Sequence, residues 1–332
     1  MDEQKKIAVI GGGSWATALV KILCNNVSSV NWYMRNEDSV AHILKFRHNP
    51  KYLQSVEFDL NKINVSTNLV EVIERSELVI IATPSAFLVK LFEDFPEGLM
   101  EGKSLYSAVK GIIPEYNAIP ARFIHKTFGI PYDSIGIICG PCHAEEVALE
   151  RLSYLTIACQ DEERSEEMAD LLSCRYIKTT VSDDLFGTEI SAVMKNIYSI
   201  ASGICSGLGY GDNFQSVLIS NAIQEIENLI DEMSPIHRDV KSSAYLGDLL
   251  VTAYSKFSRN RTFGFMVGKG YSVKSAQLEM DMIAEGYYAV KSVMEIKNKF
   301  QVEMPIVEAV HNILYEKISP VIEMRILTDK LS

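Results

Sequence analysis

The sequence predicts an α/β protein in which an N-terminal doubly wound sheet over residues 1–183 is followed by a mostly α-helical domain over residues 184–332. In the first region, short apolar runs alternate with segments of helical periodicity. Continuous apolar runs of this kind are typical of parallel strands that are buried on both faces. In the second region the strand signal fades, and apolar residues recur at helical spacing.

Seven apolar runs predict the strands of the first domain. They are KIAVI (6–10), VNWYM (30–34), LVIIAT (78–83), SLYSAV (104–109), IGIIC (135–139), YLTIAC (154–159) and YIKTT (176–180). Because helix-like patterns alternate with these runs, we expect a parallel sheet with helices on both faces.

Two apolar stripes predict long helices in the second domain. The first consists of Phe186, Ile190, Val193, Ile197, Ile200 and Ile204, and the second of Val217, Ile219, Ile223, Ile226 and Ile230. Ser182 and the two aspartates after it precede the first stripe, a composition that suits a helix N-terminus. We therefore expect the chain to enter a helix directly at the domain boundary.

The charge and the apolar runs exclude several classes of protein. The 32 basic and 43 acidic residues give a net charge of −11, which does not attract nucleic acid or anionic lipid. No apolar run approaches the roughly 18–20 residues that a membrane span needs. No apolar signal core precedes the first strand, so we expect a cytoplasmic protein.

The cysteines and histidines give no metal-ligand pattern and no disulfide framework. The six cysteines are spread along the chain, and the six histidines lack a ligand spacing, so we expect no metal. Cys139 and Cys142 are the exception, because they enclose Gly-Pro in the order CGPC of thioredoxin redox sites. This spacing leaves thiol redox chemistry open as an interpretation.

The segment IAVIGGGSWATALVKIL (7–23) predicts a dinucleotide-binding turn. Gly11, Gly13 and Ala16 fit the pattern G-x-G-x-x-G/A between a strand and a helix. The first glycine allows the tight turn, the second lets a pyrophosphate approach the backbone, and the third position must be small for packing. The helix N-terminus adds N–H groups and a partial positive charge. The first domain is therefore predicted to be Rossmann-like.

The end of the second strand bears on the choice between NAD and NADP. An acidic residue at that point would bind the ribose 2′-hydroxyl, but the sequence has Met34 and Arg35 there. Arg35 could pair with a 2′-phosphate. Glu37 and Asp38 follow closely and keep NAD open, so the sequence favours NADP over NAD.

Two lysines are candidates for ligand contact. Lys110 lies just past a predicted strand, at the edge of the sheet where α/β proteins bind ligands. Lys195 lies on a helix face with small neighbours such as Ser199 and Ser202, which would let a ligand approach. A desolvated lysine can serve as an acid or base near neutral pH. A solvated surface lysine is the alternative in each case.

A further cluster occurs in LGDLLVTAYSKFSRNRTFG (246–264). Asp248 lies at an element end, and Ser258, Arg259 and Asn260 follow on a predicted loop. Because a guanidinium binds phosphate through two hydrogen bonds, this composition favours a phosphate or oxyanion site. A surface salt-bridge cluster is the alternative.

Taken in order, these motifs resemble those of the bacterial NAD(P)-dependent glycerol-3-phosphate dehydrogenases. The similar segments are GGGSWATALV, AVKGI, CGPCHAEEVA, AVMKNIYSIASGICSGLGYGDN, LGDLLVTAYSKFSRNRTFG and IAEGY, and they span nearly the whole chain. The resemblance implies reduction of dihydroxyacetone phosphate to sn-glycerol 3-phosphate, for glycerophospholipid synthesis. It also implies that CGPC is a strand-to-helix turn of the family rather than a thioredoxin site.

The resemblance implies a role for each matching residue. Lys195 would be the proton donor or acceptor, and Asp248 would orient it and the substrate hydroxyls. The implied cofactor contacts are Gly11, Gly13, Ser14, Trp15, Arg35, Lys110, Ala144, Arg259, Ile283 and Glu285. The implied substrate contacts are Lys110, Gly140, Cys142, Lys195, Asp248, Ser258, Arg259 and Asn260.

Several positions depart from the family pattern. Ala16 stands in place of a glycine, Cys142 in place of Ser or Thr, His143 in place of Phe, and Ser206 in place of Asp. Asn221 stands where an arginine is usual, which removes a possible phosphate contact. The alternatives are therefore a related dehydrogenase for another small phosphorylated or hydroxy-acid substrate, and a non-enzymatic dinucleotide sensor. We expect a homodimer, because two-fold homo-oligomers are common.

Overall fold

The computed structural model describes residues 5–280 and 284–332 and divides the chain into two compact units. The first unit comprises Met1–Val109 and Ala118–Leu185, and the second comprises Lys110–Asn117 and Phe186–Ser332. The short stretch 110–117 thus belongs with the later part of the chain, although it follows a strand of the first unit.

An eight-stranded sheet forms the centre of the first unit. Its strands are β1 (Ile7–Ile10), β2 (Val30–Tyr33), β3 (Ile63–Ser66), β4 (Leu78–Ile81), β5 (Ser104–Ser107), β6 (Ile135–Cys139), β7 (Ser153–Cys159) and β8 (Ile177–Ser182). The order is β3-β2-β1-β4-β5-β6-β7-β8, so the chain reverses its direction of winding between β1 and β4. This topology confirms the predicted doubly wound, Rossmann-like sheet.

Two features of the sheet differ from the expectation. β3 was not predicted, because this edge strand is short and only its first residue is buried, so INVS carries no apolar run. The prediction of a parallel sheet was wrong for β6 and β7, which pair antiparallel. The helix between them has only five residues and is about 7 Å long, which is shorter than the roughly 16 Å of a five-residue strand along which a crossover helix would return.

The helices of the first unit are α1 (Ser14–Leu23), α2 (Glu37–Phe46), α3 (Leu69–Glu74), α4 (Leu88–Leu91), α5 (Pro120–Phe128), α6 (Ala144–Ala148) and α7 (Glu162–Leu172). Asn36, Asn68 and Asp161 cap α2, α3 and α7, each by accepting a hydrogen bond from the N–H three residues on. By contrast, Gly13 begins α1 without a side-chain cap.

The regular elements of the second unit are helices in its described residues, as predicted for the later part of the chain. Its helices are α8 (Leu185–Leu208), α9 (Asp212–Met233), α10 (Asp248–Tyr254), α11 (Arg259–Gly268), α12 (Val273–Glu279), α13 (Glu285–Phe300), α14 (Pro305–Leu314) and α15 (Pro320–Thr328). A π-helical turn, Ser243–Gly247, leads into α10. The predicted stripe on α8 is buried from Ile190 to Ile204, but Val217 of the α9 stripe is exposed.

Glycines bring α8 and α11 into backbone contact. Gly203 and Gly207 of α8 pack against the backbone of α11, and Gly264 and Gly268 of α11 pack against that of α8, with three residues between the members of each pair. A methyl group at Gly203 would overlap the carbonyl oxygen of Arg261, and one at Gly264 would overlap that of Ile200. This close packing fixes the start of α11 against the middle of α8, where Lys195 lies.

No helix within the described residues is both long and apolar enough to cross a membrane.

Candidate functional site

The glycine turn after β1 has a backbone shape that depends on glycine. Gly11 has a φ of +142°, and a side chain there would lie 2.6 Å from the carbonyl oxygen of Ala82. Only glycine fits such a position. A side chain at Gly13 would instead point into open space, directly before the first turn of α1. The tight turn predicted at Gly11 is therefore present, and the pyrophosphate contact at Gly13 stays a prediction.

Arg35 lies on the surface shortly after β2. Its guanidinium carbon is 5.8 Å from the centre of the Phe87 ring, which follows β4. Glu37 and Asp38 belong to the first turn of α2, where carboxylates are stabilised by the helix dipole. This position in the first turn accounts for the two acidic residues after Arg35, and it does not require that they contact a ribose.

The CGPC segment forms the turn after β6. Cys139 ends the strand and is 1% exposed, and Cys142 is 4% exposed. Gly140 has a φ of +108° and packs against the β7 backbone, where an added methyl would lie 3.0 Å from the Tyr154 carbonyl oxygen. Ala144 then begins α6. All six cysteines are free thiols, and this pair is a buried strand-to-helix turn, as the resemblance implies.

Lys195 and Asp248 form a buried ion pair in the second unit. The Lys195 ammonium contacts Asp248 Oδ1, and the residues are 2% and 1% exposed. Asp248 is the first residue of α10, and the π-helical turn before it brings its carboxylate to α8. Its second oxygen, Oδ2, is buried and has no hydrogen-bond partner among residues 5–280 and 284–332. A buried carboxylate oxygen in this state is available to a hydroxyl donor.

The serines near Lys195 have a different function from the one expected. Ser199 Oγ donates to the Thr252 carbonyl at 2.7 Å, and Ser202 Oγ donates to the Ala253 carbonyl at 2.9 Å. These hydroxyls satisfy carbonyl groups in the last turn of α10. The interpretation that they leave room for a ligand was wrong, because this part of α8 packs against α10. Their effect on the site is to fix α10, and with it Asp248.

A chain of side-chain amides connects the other candidate residues of the second unit. Asn196 Nδ2 donates to the Lys110 carbonyl at 2.7 Å, and Asn260 Nδ2 donates to Asn196 Oδ1 at 2.9 Å. Asn260 Oδ1 in turn accepts from the Gly286 N–H at 3.0 Å. The chain thereby links the 110–117 stretch, α8, α11 and the start of α13, where Glu285 is the first residue.

Ser258 is held within the protein. Its hydroxyl lies 2.8 Å from Ser199 Oγ and caps α11 by accepting from the Arg261 N–H at 3.3 Å. Arg259, the first helical residue after this cap, is exposed, whereas Asn260 is buried. The predicted Ser-Arg-Asn cluster is therefore a helix start that presents its arginine, rather than a loop.

The predicted residues fall into two groups, one in each unit. The first unit contains Gly11, Gly13, Ser14, Trp15, Arg35, Gly140, Cys142 and Ala144, and the second contains Lys110, Lys195, Asp248, Ser258, Arg259, Asn260 and Glu285. Ile283 lies outside the described residues.

Asn221, which departs from the family pattern, has a partner in this structure. Its side-chain amide donates to the Ser332 carbonyl at 2.9 Å.

Sequence reasoning did not assign Asn196 or Asn49 to the site. Asn196 follows the candidate lysine directly, and this adjacency was the signal that could have identified it. Asn49 lies far from any motif in the sequence, yet its amide contacts the glycine turn.

Within the described residues, no group of three or more His, Cys, Asp or Glu could hold a metal ion.

Comparisons with known proteins agree with the motif order. The family models for the N-terminus and the C-terminus of NAD-dependent glycerol-3-phosphate dehydrogenase match residues 6–165 and 184–324. Glycerol-3-phosphate dehydrogenase (NAD(P)+) of Staphylococcus carnosus strain TM300 is 31% identical over 314 residues, which is 94% of each chain. Its counterpart in Staphylococcus aureus strain JH9 is 32% identical over 315 residues, 95% of each chain.

A solved structure gives the same result for the fold. The crystal structure of glycerol-3-phosphate dehydrogenase from Coxiella burnetii superposes with a TM-score of 0.89 at 26% identity, over 98% of each chain. The resemblance that the sequence motifs indicated is thereby confirmed. The chain belongs to the NAD-dependent glycerol-3-phosphate dehydrogenase family, a family of oxidoreductases.

Proposed function

We propose that this protein reduces dihydroxyacetone phosphate to sn-glycerol 3-phosphate with NADH or NADPH. The observation that carries the proposal is the buried Lys195–Asp248 pair, in which one carboxylate oxygen has no partner among the described residues. Such a pair places a proton donor beside a carboxylate oxygen that can accept a hydrogen bond from a substrate hydroxyl. Reduction of a hydroxyketone uses both groups. The product is the backbone of glycerophospholipids, and we propose that the enzyme serves their synthesis.

The first unit provides a fitting site for a dinucleotide. Two observations support this site. No residue with a side chain fits at Gly11, and open space lies beside Gly13 before α1. The proposed cofactor contacts are Gly11, Gly13, Ser14, Trp15, Arg35, Lys110, Ala144, Arg259, Ile283 and Glu285. When bound, the reduced nicotinamide supplies a hydride to the carbonyl carbon. Arg35 favours NADPH, because its guanidinium is the charged group at the end of β2.

The proposed catalytic groups are Lys195 and Asp248. As the carbonyl carbon is reduced, negative charge develops on the carbonyl oxygen, and the Lys195 ammonium stabilises that charge and donates a proton to it. Asp248 holds the ammonium through Oδ1. Its Oδ2 accepts a hydrogen bond from the free hydroxyl of the substrate. In the reverse direction Lys195 accepts the proton.

The phosphate of the substrate is a remote handle whose binding energy orients the ketone. Arg259 is the exposed cation at the start of α11 and is the proposed phosphate ligand. The full set of proposed substrate contacts is Lys110, Gly140, Cys142, Lys195, Asp248, Ser258, Arg259 and Asn260. We propose that residues 1–183 supply most of the cofactor contacts, and that residues 184–332 supply the catalytic pair and most of the substrate contacts. A cytoplasmic location and a homodimer stay predictions.

The test is a spectrophotometric assay of the purified protein with thiol reductant present. NADPH or NADH is added first, dihydroxyacetone phosphate last, and pyruvate serves as a matched 2-keto acid. We expect the absorbance of the reduced cofactor to fall only after the ketone phosphate is added. Oxidation with pyruvate but not with dihydroxyacetone phosphate would identify a different dehydrogenase. Cofactor binding without turnover on either ketone would identify a non-enzymatic sensor, and each of these results contradicts the proposal.

A further inference from the structure

The glycine turn is held by side-chain donors that come from distant parts of the first unit. Trp32 Nε1 donates to the Gly11 carbonyl at 2.7 Å. Asn49 Nδ2 donates to the Gly12 carbonyl at 3.2 Å and to Thr17 Oγ1 at 2.9 Å. Thr17 Oγ1 donates to the Gly13 carbonyl at 2.9 Å. Each carbonyl of the three consecutive glycines therefore has its own side-chain donor.

The N–H groups of the same turn have the opposite arrangement. Gly11 N–H is used by the sheet, because it donates to the Tyr33 carbonyl at 3.1 Å. The N–H groups of Gly12 and Gly13 have no protein acceptor in the part of the chain that the structure describes. A peptide plane that turns its carbonyl inward must turn the N–H of the next residue outward. The donors at positions 32, 49 and 17 thus fix the direction of the N–H groups as well.

We infer that Asn49 is a positioning residue for cofactor binding, which acts by locking the Gly12 carbonyl away from the pyrophosphate. The inference rests on the proposed dinucleotide site. An unlocked Gly12 carbonyl could rotate toward the phosphates, where its partial negative charge would oppose binding. A turn that is ordered in advance also loses less conformational freedom when the cofactor binds.

Asn49 differs from a surface asparagine in being buried. It is 1% exposed, so its side-chain amide can bond only to groups inside the protein. Asn49 Oδ1 accepts from the N–H groups of Lys51 and Tyr52 at 3.0 and 3.2 Å. The oxygen thus orders the local turn, and the nitrogen orders the glycine turn. Substitution by aspartate retains the first function and removes the second.

The test measures cofactor affinity directly, by calorimetric titration of the whole protein with NADH, NADPH and ADP-ribose. We expect Asn49→Asp to weaken all three ligands by a similar factor of about ten, since all contain the pyrophosphate and a buried carbonyl loses its donor. Trp32→Phe removes the donor to Gly11 without adding a charge, and we expect it to weaken all three ligands in the same way. At saturating cofactor, we expect both variants to have the wild-type KM for dihydroxyacetone phosphate and the wild-type kcat.

The matched control is Asn31→Asp. Asn31 is 8% exposed, lies beside Trp32 on β2 and donates to Ser76 Oγ at 2.9 Å. Among the described residues, no hydrogen bond joins its side chain to the glycine turn. We expect this variant to bind the cofactors as the wild type does, even if its melting temperature falls. If Asn49→Asp and Trp32→Phe, folded by circular dichroism, bind all three ligands like the wild type, the inference is wrong. If the wild type binds no dinucleotide, the proposed function fails instead.

Discussion

Arg35 is the charged residue nearest the end of β2, where a Rossmann-like sheet contacts the adenosine ribose. It stacks on Phe87, and the carboxylates that follow it belong to the first turn of α2. We therefore propose the guanidinium as the group in this stretch that distinguishes a 2′-phosphate from a 2′-hydroxyl.

Replacing Arg35 should change the choice of cofactor. We expect Arg35→Ala to raise the KM for NADPH by about tenfold or more, because a charge-assisted hydrogen bond to the phosphate is lost. The KM for NADH should change by less than about threefold. Steady-state kinetics with both cofactors measure the two effects, with Lys45→Ala as a control that removes an exposed cation from α2. Equal losses for NADH and NADPH would show that Arg35 does not contact the 2′-phosphate.

At the scale of single elements, the packing of α8 on α11 positions the chemical groups of the second unit. The glycines of the two helices allow the backbones to approach, and Gly286 at the start of α13 packs on the same helix. A methyl group at Gly286 would lie 2.7 Å from the Asn196 carbonyl oxygen. Three segments that carry candidate residues are thus placed by glycines rather than by large apolar side chains.

Adding one methyl group at this contact should separate the helices. We expect Gly264→Ala to lower the free energy of unfolding by about 3 kcal/mol, since the methyl overlaps the Ile200 carbonyl and a packed interior relaxes little. Chemical denaturation measures this loss. Gly270→Ala is a control in the same unit with open space at the added methyl, although its φ of +95° adds local strain. A Gly264→Ala protein as stable as the wild type would contradict the close packing.

The elements differ in how far the sequence could predict them. The β1–α1 turn and α8 were predictable, because apolar periodicity and glycine spacing are local signals. β3 was not, because its polar edge residues resemble a loop, and the β6–β7 pairing depends on the short helix between the strands rather than on strand composition. The residue patterns named Lys195 and Asp248 separately, and only the resemblance implied that they interact, because they are remote in sequence. Asn49 had no local signal, since its partners are remote in sequence.

At the scale of the whole molecule, one buried carboxyl makes stability depend on pH. Glu225 of α9 accepts hydrogen bonds from the Ile306 N–H at 2.6 Å and from Tyr198 Oη at 3.1 Å, and so connects α8, α9 and α14. Burial raises the pKa of Glu225 to about 8, and the nearby Glu308 adds to the shift, whereas these hydrogen bonds oppose it. The folded protein therefore holds a proton that the unfolded chain releases near pH 4.5.

The sign of the effect follows from this difference in proton binding. The stabilising contribution of the protonated carboxyl is complete below about pH 4.5 and is lost as the pH rises toward 8. Relative to Glu225→Gln, we expect the wild type to lose on the order of 2–4 kcal/mol of unfolding free energy between pH 5 and 8. Urea denaturation of both proteins across this range measures the difference. Parallel pH profiles would show that Glu225 titrates as a free carboxyl does.

The most direct test of the proposed chemistry is to replace Lys195 by arginine. Arginine keeps the positive charge beside Asp248 but cannot release a proton near neutral pH. We expect Lys195→Arg to bind NADPH like the wild type and to lose at least about 10²-fold in kcat for dihydroxyacetone phosphate, the usual contribution of a general acid. Lys291→Arg on the exposed face of α13 should retain full activity. If Lys195→Arg turns over within a few-fold of the wild type, Lys195 does not donate the proton and the proposed mechanism is wrong.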